Sequence, residues 1–451
     1  MIWTALLTLL AGFMGQPAGP GQGGPGRRSG PLPAWAIQSW MMRAQLEPPV
    51  LLAGGTVVDV RHGVLIPDTD VLIIGDTIRE IGAVEAPPNA NVIDVTGSYI
   101  IPGLIDLHAH AQPIRGNGTA NDPLAEQVMH ALVSHGVTTI RLLPYSSEFG
   151  ASAAGRAATD TRAWPGVVPA SSIFEQTPQR TSLGFGDAGM ARAWTDREAA
   201  LGTRWIKVYN AMDEPSLGAI IEAAESHGMR VCGHAEGVPA DRAAALGMHC
   251  VEHITSIPPA LVPEDAVPPA FATLAARIAW GWAHADDADL DALMGTFREH
   301  GMAWVPTLVV THQMAEHEPR PGLPAMTDAE RASLRDAVRR AAELAVEHHR
   351  AGGLVGLGTD FPVGGLKPGA SAQEEVRLLV ELGGATPAEA LAIATVESAR
   401  VLGLDATLGT AEPGKLADLV ILDRNPLEDA SALQAVRMVI RLGRVVVDEQ
   451  P

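Results

Sequence analysis

"PGLIDLHAHA" spans residues 102–111, beginning as an apolar run and ending in two histidines one residue apart. In an extended strand side chains alternate between faces, so Asp106, His108 and His110 point the same way. Two imidazoles on one face can hold one metal ion. They can equally be ordinary polar residues at a strand end. The pair alone leaves both readings open, and the rest of the chain has to decide.

Around this stretch, about residues 102–408, strand-like runs alternate with helical patterns, the signature of βα units and a parallel sheet. The strand candidates are 103–111, 136–144, 166–174, 205–210, 230–237, 249–256, 303–310 and 355–362. Eight such units over about 300 residues predict an α/β fold, a (β/α)8 TIM barrel, with a doubly wound open sheet as the competing architecture. In "DPLAEQVMHALVSHG" the helical spacing places Leu124, Val128, Leu132 and His135 near one face. "TPAEALAIATVESARVLG" opens with Thr386, Pro387 and Glu389, a capping box with Pro at the first helical position. Residues 50–101 and the far C-terminus ("ADLVILD", "VRMVIRLGRVVVD") read as short β-branched strands. The expected organisation is a barrel over 102–408 and a small β-sandwich domain formed from both chain ends, 49–101 plus 409–451. Residues 1–48 read either as a signal peptide followed by a Gly/Pro-rich linker or as a disordered or mis-started N-terminus.

Apolar residues make up 47% of the 451 and charged residues 19%, enough for a sizeable core and against global disorder. A formal charge of -20, with no basic stripe, argues against a nucleic-acid partner and reads as a well-solvated acidic surface; the expected partner is a small-molecule substrate. A homo-oligomer is compatible with everything read here. "MIWTALLTLLAGFMG" is long enough for a signal-peptide core but lacks the basic residues that usually precede one. Export to a periplasmic or extracellular space follows if it is cleaved, and a cytoplasmic location otherwise. It is short for a membrane span, and no other segment is long and apolar enough, so the body of the protein carries none.

The chemistry-bearing residues cluster by position. His108 and His110 end the first strand candidate, Lys207 lies in the fourth, His234 in the fifth, His253 in the sixth and Asp360 in the eighth. In a (β/α)8 barrel reactive groups sit at the C-terminal strand ends, so these six fall at one height. Each alone is unremarkable, except that a lone Lys inside a barrel is costly without a partner. Four neutral imidazoles and a carboxylate suit zinc or a similar divalent ion. Two ions carry four positive charges and need anionic bridges. Asp360 gives one, a hydroxide a second, and Lys207 a third if its amine has taken up carbon dioxide as a carbamate. Only two cysteines are present, Cys232 and Cys250, too few for a thiolate zinc site. Strand parity sends Cys232 inward with His234, and Cys250 outward if His253 faces in, so no disulfide is expected.

These motifs resemble the metal-dependent amidohydrolase superfamily over nearly the whole chain from about residue 50. "PGLIDLHAH" is similar to its first-strand metal motif and "GTDFPVGG" to its eighth-strand aspartate motif. "IKVY", "GHAEG" and "VEHI" resemble the lysine and the later histidines of the branch holding X-Pro dipeptidase (prolidase) and imidazolonepropionase relatives. The resemblance implies a binuclear centre: His108 and His110 on one metal with Asp360, His234 and His253 on the second, and carbamylated Lys207 between them. It implies attack by a metal-bound hydroxide on an amide carbonyl, with Asp360 as the catalytic base and then acid.

Departures lie beside the ligands. Arg141 is followed by Leu142 where the branch often has Arg-Asp, and the loop after the third strand reads "FEQTPQRTSLGFGD" in place of a Gly-Gly-His. Gln373 takes the place of a common histidine after the eighth strand. Candidate substrate contacts are Tyr209, on the face of Lys207, and His312, on the exit loop of the seventh strand. Arg180 is a weaker candidate for a substrate carboxylate. The leading expectation is an amide-bond hydrolase of dipeptide or N-acyl amino acid type. The same site acting on a cyclic amide, lactone or other ester is the alternative, and a non-catalytic binding barrel is a third.

Overall fold

A computed structural model describes residues 48–111, 120, 122–159, 164–176, 182–262, 274–317 and 326–448. The N-terminal apolar and Gly/Pro-rich runs, and Arg180, lie outside them. The first strands are β1 (Val50–Asp59), β2 (Val64–Ile74), β3 (Thr77–Gly82), β4 (Asn91–Asp94) and β5 (Tyr99–Pro102). The next are β6 (Leu104–Ala109), β7 (Val137–Leu142), β8 (Gly166–Glu175), β9 (Ser182–Gly184), β10 (Trp205–Val208), β11 (Arg230–Gly233), β12 (Cys250–Glu252) and β13 (Ala303–Val305). The last are β14 (Leu419–Leu422), β15 (Val436–Arg441) and β16 (Arg444–Asp448).

Both chain ends build one sheet, in the order β16-β15-β14-β5-β1-β2-β3, with β4 against β1. Alternation along its strands sorts side chains into two cores. Ile100, Leu419, Ile421, Met438 and Ile440 enter a core of the sheet's own. Their neighbours Ile101, Val420 and Val439 enter the core shared with the barrel helices. This period of two is what the β-branched sequence texture encodes.

The middle of the chain forms a parallel sheet in the order β6-β7-β8-β10-β11-β12-β13, with β9 beside β8. Residues 355–361 close it into a barrel. Val355 bridges Trp304 of β13 and Phe361 bridges Ala109 of β6, both in parallel. Leu107 N donates to Leu357 O at 2.8 Å and His110 N to Phe361 O at 2.7 Å. Closure excludes the open doubly wound sheet. The seam is tight: a Cβ on Gly356 would lie 2.3 Å from Leu107 Cδ1, and one on Gly358 2.4 Å from Val305 Cγ1. Only glycine admits this approach of backbone to packed side chain.

Two local expectations are corrected. The run 303–310 was expected to be one strand, but β13 ends at Val305 and Leu308–Glu316 is a helix. The β-branched "VVT" is overridden because the buried carboxyl group of Glu375 accepts from Leu308 N at 2.8 Å and Val309 N at 2.7 Å, satisfying amides a helix start leaves orphaned. In the helix Pro123–Ser134 the buried stripe is Ala125, Met129, Leu132 and Val133, while Leu124 is 43% exposed. The capping box at Thr386 and Glu389 forms as expected, and its helix Pro387–Ala392 runs through a π turn, Ile393–Glu397, into Ser398–Leu402. No helix among the described residues is long and apolar enough to cross a membrane.

Burial raises the Glu375 carboxyl to about 8, against weaker opposition from the Val309 and Leu308 amides. A folded value above the ordinary 4.5 means the folded chain holds the extra proton between those limits. The stability it contributes is full at acid pH and is lost as pH rises through the folded value. Glu375→Gln, which cannot ionise, is expected to lose stability less steeply than the native chain across that window; urea unfolding as a function of pH checks this.

Candidate metal centre

Each of the six groups sits at a strand end on the same rim of the barrel. His108 lies near the end of β6 and His110 just beyond it; Lys207 is in β10; His234 and His253 follow β11 and β12 by one residue; Asp360 lies in the closing segment. The rings form a chain, with centroids 5.2 Å apart for His110 and His108, 4.5 Å for His108 and His253, and 4.6 Å for His253 and His234. Asp360 Oδ1 lies 3.1 Å from His110 Nε2 and 3.3 Å from His108 Nε2. One ligating atom each from His108, His253 and Asp360 falls within 4.8 Å of the others.

The second nitrogen of every ring is occupied. His108 Nδ1 pairs with Glu252 Oε2 at 2.7 Å, His110 Nδ1 with Leu143 O at 2.6 Å, His234 Nδ1 with Asn210 Oδ1 at 2.7 Å, and His253 Nδ1 with Thr307 Oγ1 at 2.7 Å. Fixing Nδ1 turns each Nε2 edge toward the centre, the usual way ligating imidazoles are oriented. Burial, chiefly, and then neighbouring charge push His108, His234 and His253 below the ordinary histidine value, so the rings are neutral donors. Burial alone would raise Asp360; hydrogen bonds from His108 and His110 hold it well below the carboxylate range. Lys207 Nζ is buried with no hydrogen-bond partner. A buried amine left orphaned among imidazoles and a carboxylate at one focus is what a divalent centre with a carbamate would satisfy, so the residues fit the expected metals.

Parity fails at the barrel rim. Cys250 was expected to face the helices. Instead it faces inward, its Sγ 3.3 Å from Glu252 Oε1, in the same interior cluster as Cys232, its register partner on β11. The cause is a backbone reversal: His253 adopts φ +68°, so it points into the barrel directly after the inward-facing Glu252. Asp360 at φ +61° and Thr307 at φ +49° turn the same way. Such conformations cost energy in non-glycine residues and persist where surrounding contacts dictate them. Both cysteines are free.

Glu252 is the main supporting residue that sequence reasoning missed, although it stands beside His253 in "VEHI". It is fully buried between His108 and Arg141, whose guanidinium also donates through Nε to Leu107 O at 2.6 Å and lies 4.5 Å over the Trp205 ring. Burial opposes its charge, yet Arg141 and then His108 hold its pKa far below the carboxylate range. Asp106, the third inward residue of the opening stretch, is no ligand in this arrangement. It accepts from His108 N at 3.0 Å and from Thr359 N and Oγ1 at 3.1 and 2.7 Å, stitching β6 to the closing segment.

Above the six groups opens a cavity of about 270 Å³. Tyr209 lines it, its ring 4.1 Å from that of His234, and Tyr145 lines it with its ring stacked on His110 at 5.6 Å. Two of the three tyrosines in the chain therefore meet here, a signal only the structure makes visible. His312 is corrected from an exit loop to the helix Leu308–Glu316, half-buried, and is not among the lining residues. Gln373 sits in the helix Ala370–Glu381 and donates to His135 O at 3.1 Å and Leu433 O at 2.7 Å, away from the cavity.

Comparison with known proteins agrees with this architecture. Residues 99–446 match the Amidohydrolase family. An adenine deaminase 2 of Agrobacterium fabrum is 30% identical over 208 residues, 42% of this chain and 32% of that protein. The chain thus spans about a third of the length of the curated relatives it matches first. A putative prolidase from Bifidobacterium longum superposes with a TM-score of 0.72 at 24% identity, over 90% of this chain and 96% of that one. A prolidase solved with N-methylphosphonate-L-proline superposes at 0.69 with 25% identity, over 89% and 100%.

Glu252→Ala would leave the Arg141 guanidinium buried without its carboxylate. Breaking such a pair from one side costs about 3–5 kcal/mol. Chemical denaturation is expected to show a loss of that size, larger than for Glu252→Gln, which keeps a hydrogen-bond acceptor in place.

Proposed function

The chain belongs to the amidohydrolase family, and from that premise we propose that it is a binuclear metal-dependent hydrolase of a small-molecule amide, of dipeptide or N-acyl amino acid type. The observation that carries this is the convergence of four Nδ1-anchored imidazoles, Asp360 and the orphaned Lys207 Nζ beneath one cavity.

His108, His110 and Asp360 would hold one divalent ion, and His234 and His253 the other, with zinc the natural choice for this donor set. Lys207, its amine converted by carbon dioxide to a carbamate with release of a proton, would lie between them. That chemistry replaces an expensive buried amine with two oxygen donors. When bound, the ions supply Lewis acidity toward the carbonyl oxygen and a more acidic water. Asp360, anchored through its backbone N to His108 O at 2.7 Å, takes the proton of the attacking water and passes it to the leaving nitrogen. Tyr209 stands beside His234 within reach of a carbonyl bound there. Ile173, Ile278, Val310, Met314 and Val363 line the cavity and give the substrate an apolar wall. Hydrolysis of a cyclic amide, lactone or other ester uses the same groups; a panel of amides and esters separates the two readings.

Metal analysis of the purified chain is expected to find two divalent ions per chain. Lys207→Ala is expected to bind at most one and to lose activity by at least a hundredfold. A fully active Lys207→Ala, or a native protein that takes up no metal, would overturn the proposal. Asp360→Asn is expected to depress kcat far more than it raises KM, read from steady-state kinetics on the best amide of the panel.

A further inference from the structure

The cavity carries two carboxylates outside the six groups, Glu175 and Glu236. Glu175 ends β8. Register pairs Ile173 with Lys207 and Phe174 with Val208, so Glu175 lies beside Tyr209 on the inward face. It is 1% exposed. Its Oε1 accepts from Ala211 N at 3.3 Å, while Oε2 has no partner. A buried carboxylate oxygen left unsatisfied is costly, and the natural compensation is a cation. Glu236 follows His234 by two residues and lines the same cavity, its side chain 26% exposed and within 3.7 Å of His234 Nδ1. Thr255 hydrogen-bonds it, and the charges of Arg277 and Lys207 act on it. Among the described lining residues Lys207 is the one Lys or Arg, and the proposed reaction commits it to the metals. Apart from the two proposed ions, no described lining side chain is left to neutralise an anionic substrate group, whereas two carboxylates are placed to receive a cationic one.

We propose that Glu175 and Glu236 form a subsite for a protonated amine, so that the substrates are amides bearing a free α-ammonium group next to an apolar side chain. This rests on the hydrolase reading and narrows it: dipeptide-like amides with a free amino end are taken, and their N-acylated counterparts are not. The apolar wall of Ile173, Ile278, Val310 and Met314 receives the adjoining side chain. Charge pairing in a site this buried is worth far more than on a surface, so the ammonium distinguishes the two classes strongly.

The test uses a non-hydrolysable pair: a ketomethylene analogue of leucyl-glycinamide with a free amino group, and its N-acetyl derivative. Calorimetry on the metal-loaded protein is expected to show at least tenfold tighter binding of the free amine. That preference should shrink to less than threefold in Glu175→Gln and in Glu236→Gln. Equal or tighter binding of the N-acetyl compound, binding of neither, or a preference intact in both variants would overturn the proposal. Turnover of amides without any preference for a free amine would overturn it while leaving the hydrolase reading standing. An intact binding preference with no turnover of any amide or ester would overturn the hydrolase reading alone.

Discussion

The ion pair between Arg141 and Glu252 crosses the interior of the barrel from β7 to β12. Much of the rim depends on it. Neither charge touches water, so each is tolerable only because the other is there. The pair fixes more than two strands. Arg141 also grips the backbone of β6 at Leu107 and lies over Trp205 of β10, while Glu252 holds the Nδ1 edge of His108. One buried carboxylate thus sets the tilt of an imidazole at the centre of the site and braces opposite walls of the barrel.

The same logic repeats around the rim with different partners. A carbonyl orients His110, an amide side chain His234 and a hydroxyl His253. The donors are preorganised by groups that themselves belong to strands or strand ends, which keeps the geometry independent of mobile segments. Three rim residues, His253, Thr307 and Asp360, adopt left-handed backbone. The reversal at His253 lets two consecutive residues, Glu252 and His253, both serve the interior, something a regular strand forbids.

Polar anchoring at the rim also decides secondary structure. The carboxyl group of Glu375 accepts from the first amides of Leu308–Glu316 and turns a β-branched segment into a helix whose Val310 and Met314 form part of the cavity wall. A residue some 66 positions away in the chain therefore shapes the pocket. The closing segment 355–361 shows the complementary case, where glycines let the backbone approach the core so closely that Asp360 reaches His108 in β6 and His110 just beyond it.

By itself the sequence determined the alternating βα pattern, the sheet drawn from both chain ends, and the positions of His108, His110, Lys207, His234, His253 and Asp360 at strand ends. These are legible because period-two hydrophobicity, turn residues and His, Lys or Asp at the end of an apolar run are local signals. Only the tertiary structure decided that Cys250 faces inward, that Glu252 holds the ring of His108, that Tyr145 joins Tyr209, and that His312 is absent from the cavity lining. Each of these follows from a contact between distant segments or from a backbone reversal, and neither leaves a trace in spacing along the chain. Strand parity predicts facing only while φ stays extended, and the rim, where the chemistry sits, is where it does not.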